Sequence, residues 1–274
     1  MEHKIKMIGF DMDGTLLTSE KKLTEYTRKV LNKAIDLGIV VLPVTGRPLS
    51  GIPKEMREFE GIHYLIVSNG ARVVEDGKTI CENLLPVEKA RKILDILEDY
   101  DTLRDVYYDG QGYTQEEELK HISKYLSSPA MANYVVSTRI AVADIRKKFE
   151  EENRDLDKIQ GIFANPVDKI EAMERINALG GVEATGALAN NIEVNGGGVH
   201  KGKTLLWLAK RLGIKREEVM AFGDGTNDMK MIRDVGVGVC MANGVQVVKD
   251  VADIIAPSND EEGVAKTIEQ YVFS

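Results

Sequence analysis

The stretch Ile5-Lys6-Met7-Ile8-Gly9-Phe10-Asp11-Met12-Asp13-Gly14-Thr15 decides the fold. It begins as a strand-sized, mostly apolar run and stops on two acids and a glycine. A run of that kind reads as a strand buried on both faces, as in a parallel sheet covered by helices on each side. The chain that follows repeats the unit. Residues 23–37 have helical spacing, with Thr24 as N-cap, Val30, Leu31, Ala34, Ile35 and Leu37 as the apolar face and Gly38 as the stop. Residues 39–44 form a second apolar strand, a helical stretch passes through Met56 and Phe59, and residues 64–67 form a third strand. This alternation predicts an α/β fold around a parallel sheet. Residues 72–80 read as a hairpin turning on Asp76-Gly77.

Beyond about residue 84 the texture changes. Residues 87–99 form a charged amphipathic helix, and residues 105–114 carry Tyr107, Tyr108 and Tyr113 around an Asp109-Gly110 turn. Helices are expected over 116–126, 141–152 and 168–179, with strands over 158–163, 182–185 and 188–194. The first texture then returns, with helices over 203–212, 228–234, 245–252 and 263–271 and strands over 219–222, 237–240 and 254–255. The economical organisation is a core made of residues 1–84 and 188–274, interrupted by an inserted α+β domain over 85–187. The length of 274 residues agrees with a prior of about two domains.

Composition excludes several classes. Apolar residues are 43% and charged residues 29%, a globular rather than disordered balance. No apolar run approaches the ~18 residues of a membrane helix, and Met1-Glu2-His3-Lys4 does not read as the start of a signal peptide. Cys81 and Cys240 are far apart, which argues against a disulfide framework and a cysteine zinc site; both read as packing residues. A net charge of −8 lacks the basic face of a general nucleic-acid binder. It leaves room for a small anionic substrate held by local positive groups. The expected setting is cytoplasmic, with neither nucleic acid nor membrane as partner.

In open α/β sheets ligands bind beyond the carboxyl ends of the strands. Asp11 to Thr15 follow the first strand, Thr45-Gly46-Arg47 the second, and Ser68-Asn69-Gly70 the third. Gly223-Asp224-Gly225-Thr226-Asn227-Asp228 follow the strand at 219–222, and Lys201-Gly202 precede a helix. Singly, each cluster reads as turn-making or capping. Jointly they bring four acids to one sheet edge, a charge that needs a cation. Asp11, Asp13, Asp224 and Asp228 offer only oxygen, which suits Mg²⁺ better than zinc. A carboxylate beside Mg²⁺ can also accept a phosphoryl group. A second acid two residues on can protonate the leaving oxygen. Hydrolysis of phosphate monoesters requires acceleration of up to ~10²¹, which calls for such a composite site.

Asp11-x-Asp13-Gly14-Thr15, Thr45-Gly46-Arg47, Lys201 and Gly223-Asp224-x-x-Asn227-Asp228 together resemble the four motifs of the haloacid dehalogenase superfamily. The segments Ser68-Asn69-Gly70-Ala71, Ile192-Glu193-Val194, Gly198-Val199-His200-Lys201-Gly202, Met241-Ala242-Asn243-Gly244 and residues 258–264 resemble its Cof-type phosphatases. The resemblance implies a Rossmann-like parallel-sheet core with an inserted α+β cap domain. It implies a phosphoric monoester hydrolase that cleaves small phosphorylated metabolites, sugar phosphates first, through an aspartyl-phosphate. Asp11 would be nucleophile and Mg²⁺ ligand. Asp13 would be the acid/base and reach the metal through its carbonyl. Thr45 and Gly46 would bind phosphoryl oxygens, with Asn227 nearby and Arg47 at the substrate entrance. Lys201 would balance charge at nucleophile and phosphate, and Asp224 and Asp228 would complete the metal site. His200 departs from the small residue usual before the lysine, and it reads as a solvated loop residue or a substrate neighbour. In the insertion, Tyr107, Tyr108, Tyr113 and Arg139 are candidates to read substrate. Trp207, beside Leu205, Leu206 and Leu208, reads as core.

Other functions compete. A mutase of the same superfamily would use the same nucleophile to move a phosphoryl group. A metabolite-binding protein that kept only the fold would be expected to have lost an acid, yet Asp11, Asp13, Lys201 and Asp224 are all present. Gly197-x-x-x-x-Gly202-Lys203-Thr204 matches the phosphate loop of nucleotide triphosphatases. However, residues 190–195 alternate instead of forming an apolar strand, and that function leaves Asp11 to Thr15 unexplained.

Overall fold

A computed structural model describes residues 4–186 and 188–273. In chain order the N-terminal elements are β1 (Met7–Phe10), α1 (Glu25–Asp36), β2 (Val40–Pro43), α2 (Lys54–Arg57), β3 (Tyr64–Val67), β4 (Arg72–Glu75) and β5 (Lys78–Glu82). Next come α3 (Val87–Glu98), β6 (Thr102–Tyr108), β7 (Gln111–Gln115), α4 (Glu116–Lys120), α5 (Pro129–Thr138), β8 (Arg139–Val142), α6 (Ile145–Glu152), β9 (Lys158–Phe163), α7 (Asp168–Ala178), β10 (Val182–Thr185) and β11 (Asn191–Gly196). The chain ends with α8 (Lys201–Arg211), β12 (Val219–Gly223), α9 (Met229–Asp234), β13 (Val237–Met241), α10 (Gln246–Lys249), β14 (Ile254–Ala256) and α11 (Gly263–Val272). Two compact units result. One takes the chain up to Gly46, Pro53–Ile80 and the chain from His200 onward, and the other takes Arg47–Ile52 and Cys81–Val199. Among the described residues no helix is long and apolar enough to cross a membrane.

The first unit is built on a five-stranded parallel sheet of order β14-β13-β12-β1-β2. Met7, Ile8, Phe10, Met220, Ala221 and Phe222 are fully buried, which is why these strands read as unbroken apolar runs. From β1 the chain winds one way into β2, and from β12 it winds the other way into β13 and β14. The β1–β12 boundary is therefore the switch point where a crevice opens beyond the strand ends. Helix α1 starts where Thr24 accepts from the Thr27 N–H and buries Thr27, Val30, Leu31 and Ala34. Burial of each such aliphatic side chain contributes about 1.5–3 kcal/mol.

The third apolar run belongs elsewhere than expected. β3 leads a three-stranded sheet, β3-β4-β5, and touches the parallel sheet through one Val44–Ile66 bridge. The hairpin between β4 and β5 turns on Asp76 and Gly77, both at positive φ.

The second unit holds a six-stranded sheet of order β10-β11-β9-β6-β7-β8, antiparallel except between β7 and β8. Leu94 and Leu97 of α3, Phe149 of α6 and Ile176 of α7 pack on Val106, Tyr108, Ile159 and Val194 of the sheet. Leu103 and Ile162 pack with Tyr125, Leu126 and Val135. Two of the expected helices here are broken. The one over 116–126 is α4 followed by a separate turn at Ile122–Lys124. The one over 141–152 starts later, where Asp144 caps α6, and is preceded by β8 and by α5, which Ser128 caps with Pro129 at its first turn.

Candidate active site

The first unit's sheet positions the acids. Phe10 pairs with Phe222 across β1 and β12, and the Asp11 N–H donates to Phe222 O at 2.9 Å. Asp11 and Asp224 thus leave adjacent strand ends. Beyond β12 the chain folds back, and Asp228 Oδ2 accepts the N–H groups of Asp224 and Gly225, each at 3.0 Å. One ligand oxygen from each of Asp11, Asp224 and Asp228 lies within 4.8 Å of the others. Lys201, the first residue of α8, is fully buried and reaches this group, with Nζ 2.6 Å from Asp228 Oδ1 and 3.0 Å from Asp11 Oδ1. Thr15 donates its hydroxyl to Asp224 Oδ1 at 2.7 Å. Gly14 sits at φ 77°, and a Cβ there would run into the Asp224 carboxylate, so only glycine lets the two segments meet.

The electrostatics follow from burial. The Asp11 carboxyl is pushed from 3.8 up to about 8, first by desolvation; Lys201 works against this, and Asp228, Asp224 and Asp13 add to it. Asp224 rises to about 6, again first through burial and then through repulsion from Asp228, opposed by the Thr15 hydrogen bond and Lys201. Burial alone would lower Lys201, but Asp11 and Asp228 raise it above its ordinary value. One ammonium does not neutralise three clustered carboxylates, two of them buried and one half-buried. An all-oxygen donor set with excess negative charge fits a hard divalent cation such as Mg²⁺.

The other expected residues divide. Thr45 is buried, and its carbonyl accepts from the Asn69 N–H at 3.0 Å. Asn69 in turn accepts from Asn227 Nδ2 at 3.2 Å, so the ends of β2, β3 and β12 are tied together. Asp13 stands outside the three-carboxylate group and pairs with Lys21 at 2.7 Å. Gly46 is the last residue of this unit before the chain leaves it. Arg47 belongs to the second unit, where it donates to Gly51 O at 3.0 Å and lies 4.4 Å from the Tyr134 ring centroid. His200 is the N-cap of α8, its Nδ1 accepting from the Lys203 N–H at 3.2 Å. Sequence reasoning gave no role to Lys21, Asn243, Asn259 or Asp260.

Trp207, Tyr108 and Tyr113 depart from expectation. Trp207 is 37% exposed, with Arg211 5.9 Å from its ring centroid, so it is not a core residue. Tyr108 is core and Tyr113 packs against it, with ring centroids 6.4 Å apart. Tyr107 and Arg139 are buried on the opposite sheet face, both bonded to Asp105 Oδ2, at 2.6 and 3.1 Å. Lys158 and Glu193 pair at 3.0 Å in the same buried polar row. The phosphate-loop pattern lacks its framework. β11 runs antiparallel to both neighbours, Lys203 points to solvent, and Thr204 donates to Gly70 O at 3.0 Å. Cys240 is buried and its thiol is pushed up to about 11, which keeps it an inert packing residue, while Cys81 is half-buried.

The sequence profile of a family described as haloacid dehalogenase-like hydrolase matches this chain over residues 8–268. A Bacillus subtilis protein named 5-amino-6-(5-phospho-D-ribitylamino)uracil phosphatase YcsE is 31% identical over 272 residues, spanning 98% of this chain and 96% of its own. The putative phosphatase YxeH of the same organism is 29% identical, spanning 98% of this chain and 99% of its own. A solved structure described as a haloacid dehalogenase-like hydrolase from B. subtilis superposes with a TM-score of 0.87 at 27% identity, over 97% of this chain and all of that one.

Proposed function

This chain belongs to the haloacid dehalogenase-like hydrolases, and we propose that it is a Mg²⁺-dependent phosphatase of phosphorylated sugars and sugar alcohols that works through an aspartyl-phosphate on Asp11. The single observation that carries this is the cluster of Asp11, Asp224 and Asp228 around the buried Lys201. Its negative excess calls for a cation, and its one ammonium sits against the Asp11 carboxylate. The substrate class draws on the relative named for a phosphate ester of a ribityl chain.

Asp11, Asp224 and Asp228 would hold the ion, which supplies positive charge to the phosphoryl oxygens. In the first step an Asp11 oxygen bonds to phosphorus while the ester P–O bond breaks. The leaving oxygen takes the Asp13 proton. In the second step water attacks the phosphorus of the aspartyl-phosphate, Asp13 takes a proton from that water, and Asp11 leaves as carboxylate. Lys201 favours the ionised form of Asp11 against burial and offsets charge on the phosphoryl group. Thr45, the Gly46 amide and Asn227 hold its oxygens in line. Arg47 and the inserted residues 85–187, as a cap domain, choose among esters.

The test is phosphate release over a panel of sugar phosphates, sugar-alcohol phosphates and nucleotides, with Mg²⁺ or excess chelator. Mg²⁺-dependent release, highest on the polyhydroxylated esters and absent in Asp11→Asn, is expected. Undiminished release in chelator removes the metal site, and a preference for nucleotides removes the substrate class.

A further inference from the structure

Lys21 is the cation nearest the group assigned to proton transfer. Its Nζ lies 2.7 Å from Asp13 Oδ1, with both side chains about a quarter exposed. An exposed pair of this kind contributes little to folding. What distinguishes it is the loop that carries the lysine. Lys21 adopts φ 64°, a left-handed conformation that a lysine keeps only when its surroundings impose it. Its N–H donates to Thr18 O at 2.8 Å, and the Thr18 N–H donates to Lys22 O at 3.0 Å.

Two later segments clamp this loop from outside. Asn243 Nδ2 donates to Gly14 O at 2.7 Å, and Asn259 Nδ2 donates to Leu17 O at 2.9 Å. The Asn259 N–H also donates to Asn243 Oδ1 at 3.0 Å, which joins the two clamps. Asp260 accepts both the N–H and the hydroxyl of Ser19, at 2.8 and 2.7 Å. The loop is therefore tied at its start, middle and tip; of its two lysines, Lys22 pairs with Glu20 at 2.6 Å and Lys21 is aimed at Asp13.

We propose that Lys21 is a positioning residue for proton transfer, fixing the orientation of the Asp13 carboxylate from a loop clamped by Asn243, Asn259 and Asp260. This rests on Asp13 being the acid of the phosphatase reaction. Lys21 touches no reacting atom; it acts through Asp13. A carboxyl held in one orientation meets the leaving oxygen more often than one free to rotate, so its value lies in the step that needs a proton.

The experiment compares Lys21→Met, Lys21→Arg, Asp13→Asn and the Lys21→Met/Asp13→Asn double variant in the full chain. The substrates are para-nitrophenyl phosphate, whose leaving group needs little protonation, and glycerol phosphate, whose alkoxide needs it. Lys21→Met is expected to lower kcat on glycerol phosphate about tenfold, a part of the ~10²–10⁴ that a general acid supplies. Its KM and its single-turnover rate of nitrophenolate release from the aryl ester, which precedes the water attack that Asp13 also serves, should stay within about twofold. Lys21→Arg should recover most of the loss. The double variant should be no slower than Asp13→Asn alone, the mark of two residues acting as one. Equal loss on both esters, or additive losses in the double variant, overturns the proposal while leaving Asp13 as the acid. If Asp13→Asn itself slows both esters equally, the assignment of Asp13 fails and the role of Lys21 fails with it.

Discussion

Lys201 lies closer to Asp228 than to Asp11, 2.6 against 3.0 Å, so the buried ammonium is shared and leans toward the residue that folds the Asp224 loop. Lys201→Met therefore removes the charge beside the proposed nucleophile and a structural one together. It should abolish turnover and destabilise the protein by roughly 3–5 kcal/mol, the usual consequence of breaking a buried ion pair. Urea unfolding measures the second effect. A variant that loses activity at unchanged stability would show that the contact with Asp228 carries no structural weight.

The raised Asp11 carboxyl makes the metal-free protein pH-sensitive. Its value moves from 3.8 unfolded to about 8 folded, chiefly through burial. The folded state therefore binds the proton more tightly. The stability this gives is complete below the unfolded value and is lost as pH rises through the folded one. In chelator, Tm should fall from about pH 5 to about pH 8, with Asp224, raised to about 6, adding to the lower part. Asp11→Asn should flatten the upper part of that decline. Parallel Tm curves for the two proteins would refute the account.

Mg²⁺ should stabilise the protein more at the alkaline end of the same range, because bound metal replaces the proton on Asp11. Thermal shift against Mg²⁺ concentration at several pH values gives the answer. Ca²⁺ should bind and inhibit. It accepts more oxygens at longer distances, so it can engage both oxygens of Asp11 and leave none to attack phosphorus. Turnover in Ca²⁺ equal to that in Mg²⁺ would contradict this.

Thr15→Val should weaken metal binding without removing a ligand. The hydroxyl bonds Asp224 Oδ1 at 2.7 Å and holds that carboxyl down. Loss of one such bond is worth about 1 kcal/mol, or roughly fivefold in Mg²⁺ affinity. The loss should be larger at pH 6 than at pH 8, since Asp224 titrates near 6. Calorimetric titration at the two pH values separates this from general damage to the site.

In the second unit, Phe149→Ala should destabilise by about 3–5 kcal/mol, since the ring is fully buried against the sheet. Guanidinium unfolding followed by circular dichroism tests it. A loss below about 1 kcal/mol would mean that the surrounding side chains close the cavity.

The residues after β1 and β12 were legible because apolar runs buried on both faces stop abruptly at acids, and few other patterns do so. Helix α8 was legible from residue 203 on, but not its start at Lys201, two residues earlier; the spacing of Leu205, Leu208 and Ala209 should have turned Trp207 outward. In the second unit α5, which starts at Ser128-Pro129, fell where no element was expected, and the end of β8 was merged into the helix that Asp144 starts. β3 read correctly as a strand, but partner choice is not written in a four-residue apolar run. Lys21 left no mark at all. In Glu20-Lys21-Lys22 nothing separates one lysine from the other, and a positive φ in a non-glycine residue is set by the Asn259 and Asp260 contacts from the far end of the chain.

That distance has a consequence for synthesis. Thr15 and Asp224 meet across 209 positions, and β1 has β12 as one of its two sheet neighbours. On the ribosome β1 emerges early, apolar and with one edge bare, and waits for a strand not yet translated. The second unit, Arg47–Ile52 and Cys81–Val199, is fully translated in the meantime and can fold while the sheet around β1 is still open. The sheet is completed only when β12 pairs with β1, the same pairing that brings Asp224 beside Asp11. A nascent chain that stops short of β12 therefore has Asp11 without Asp224 and Asp228 beside it.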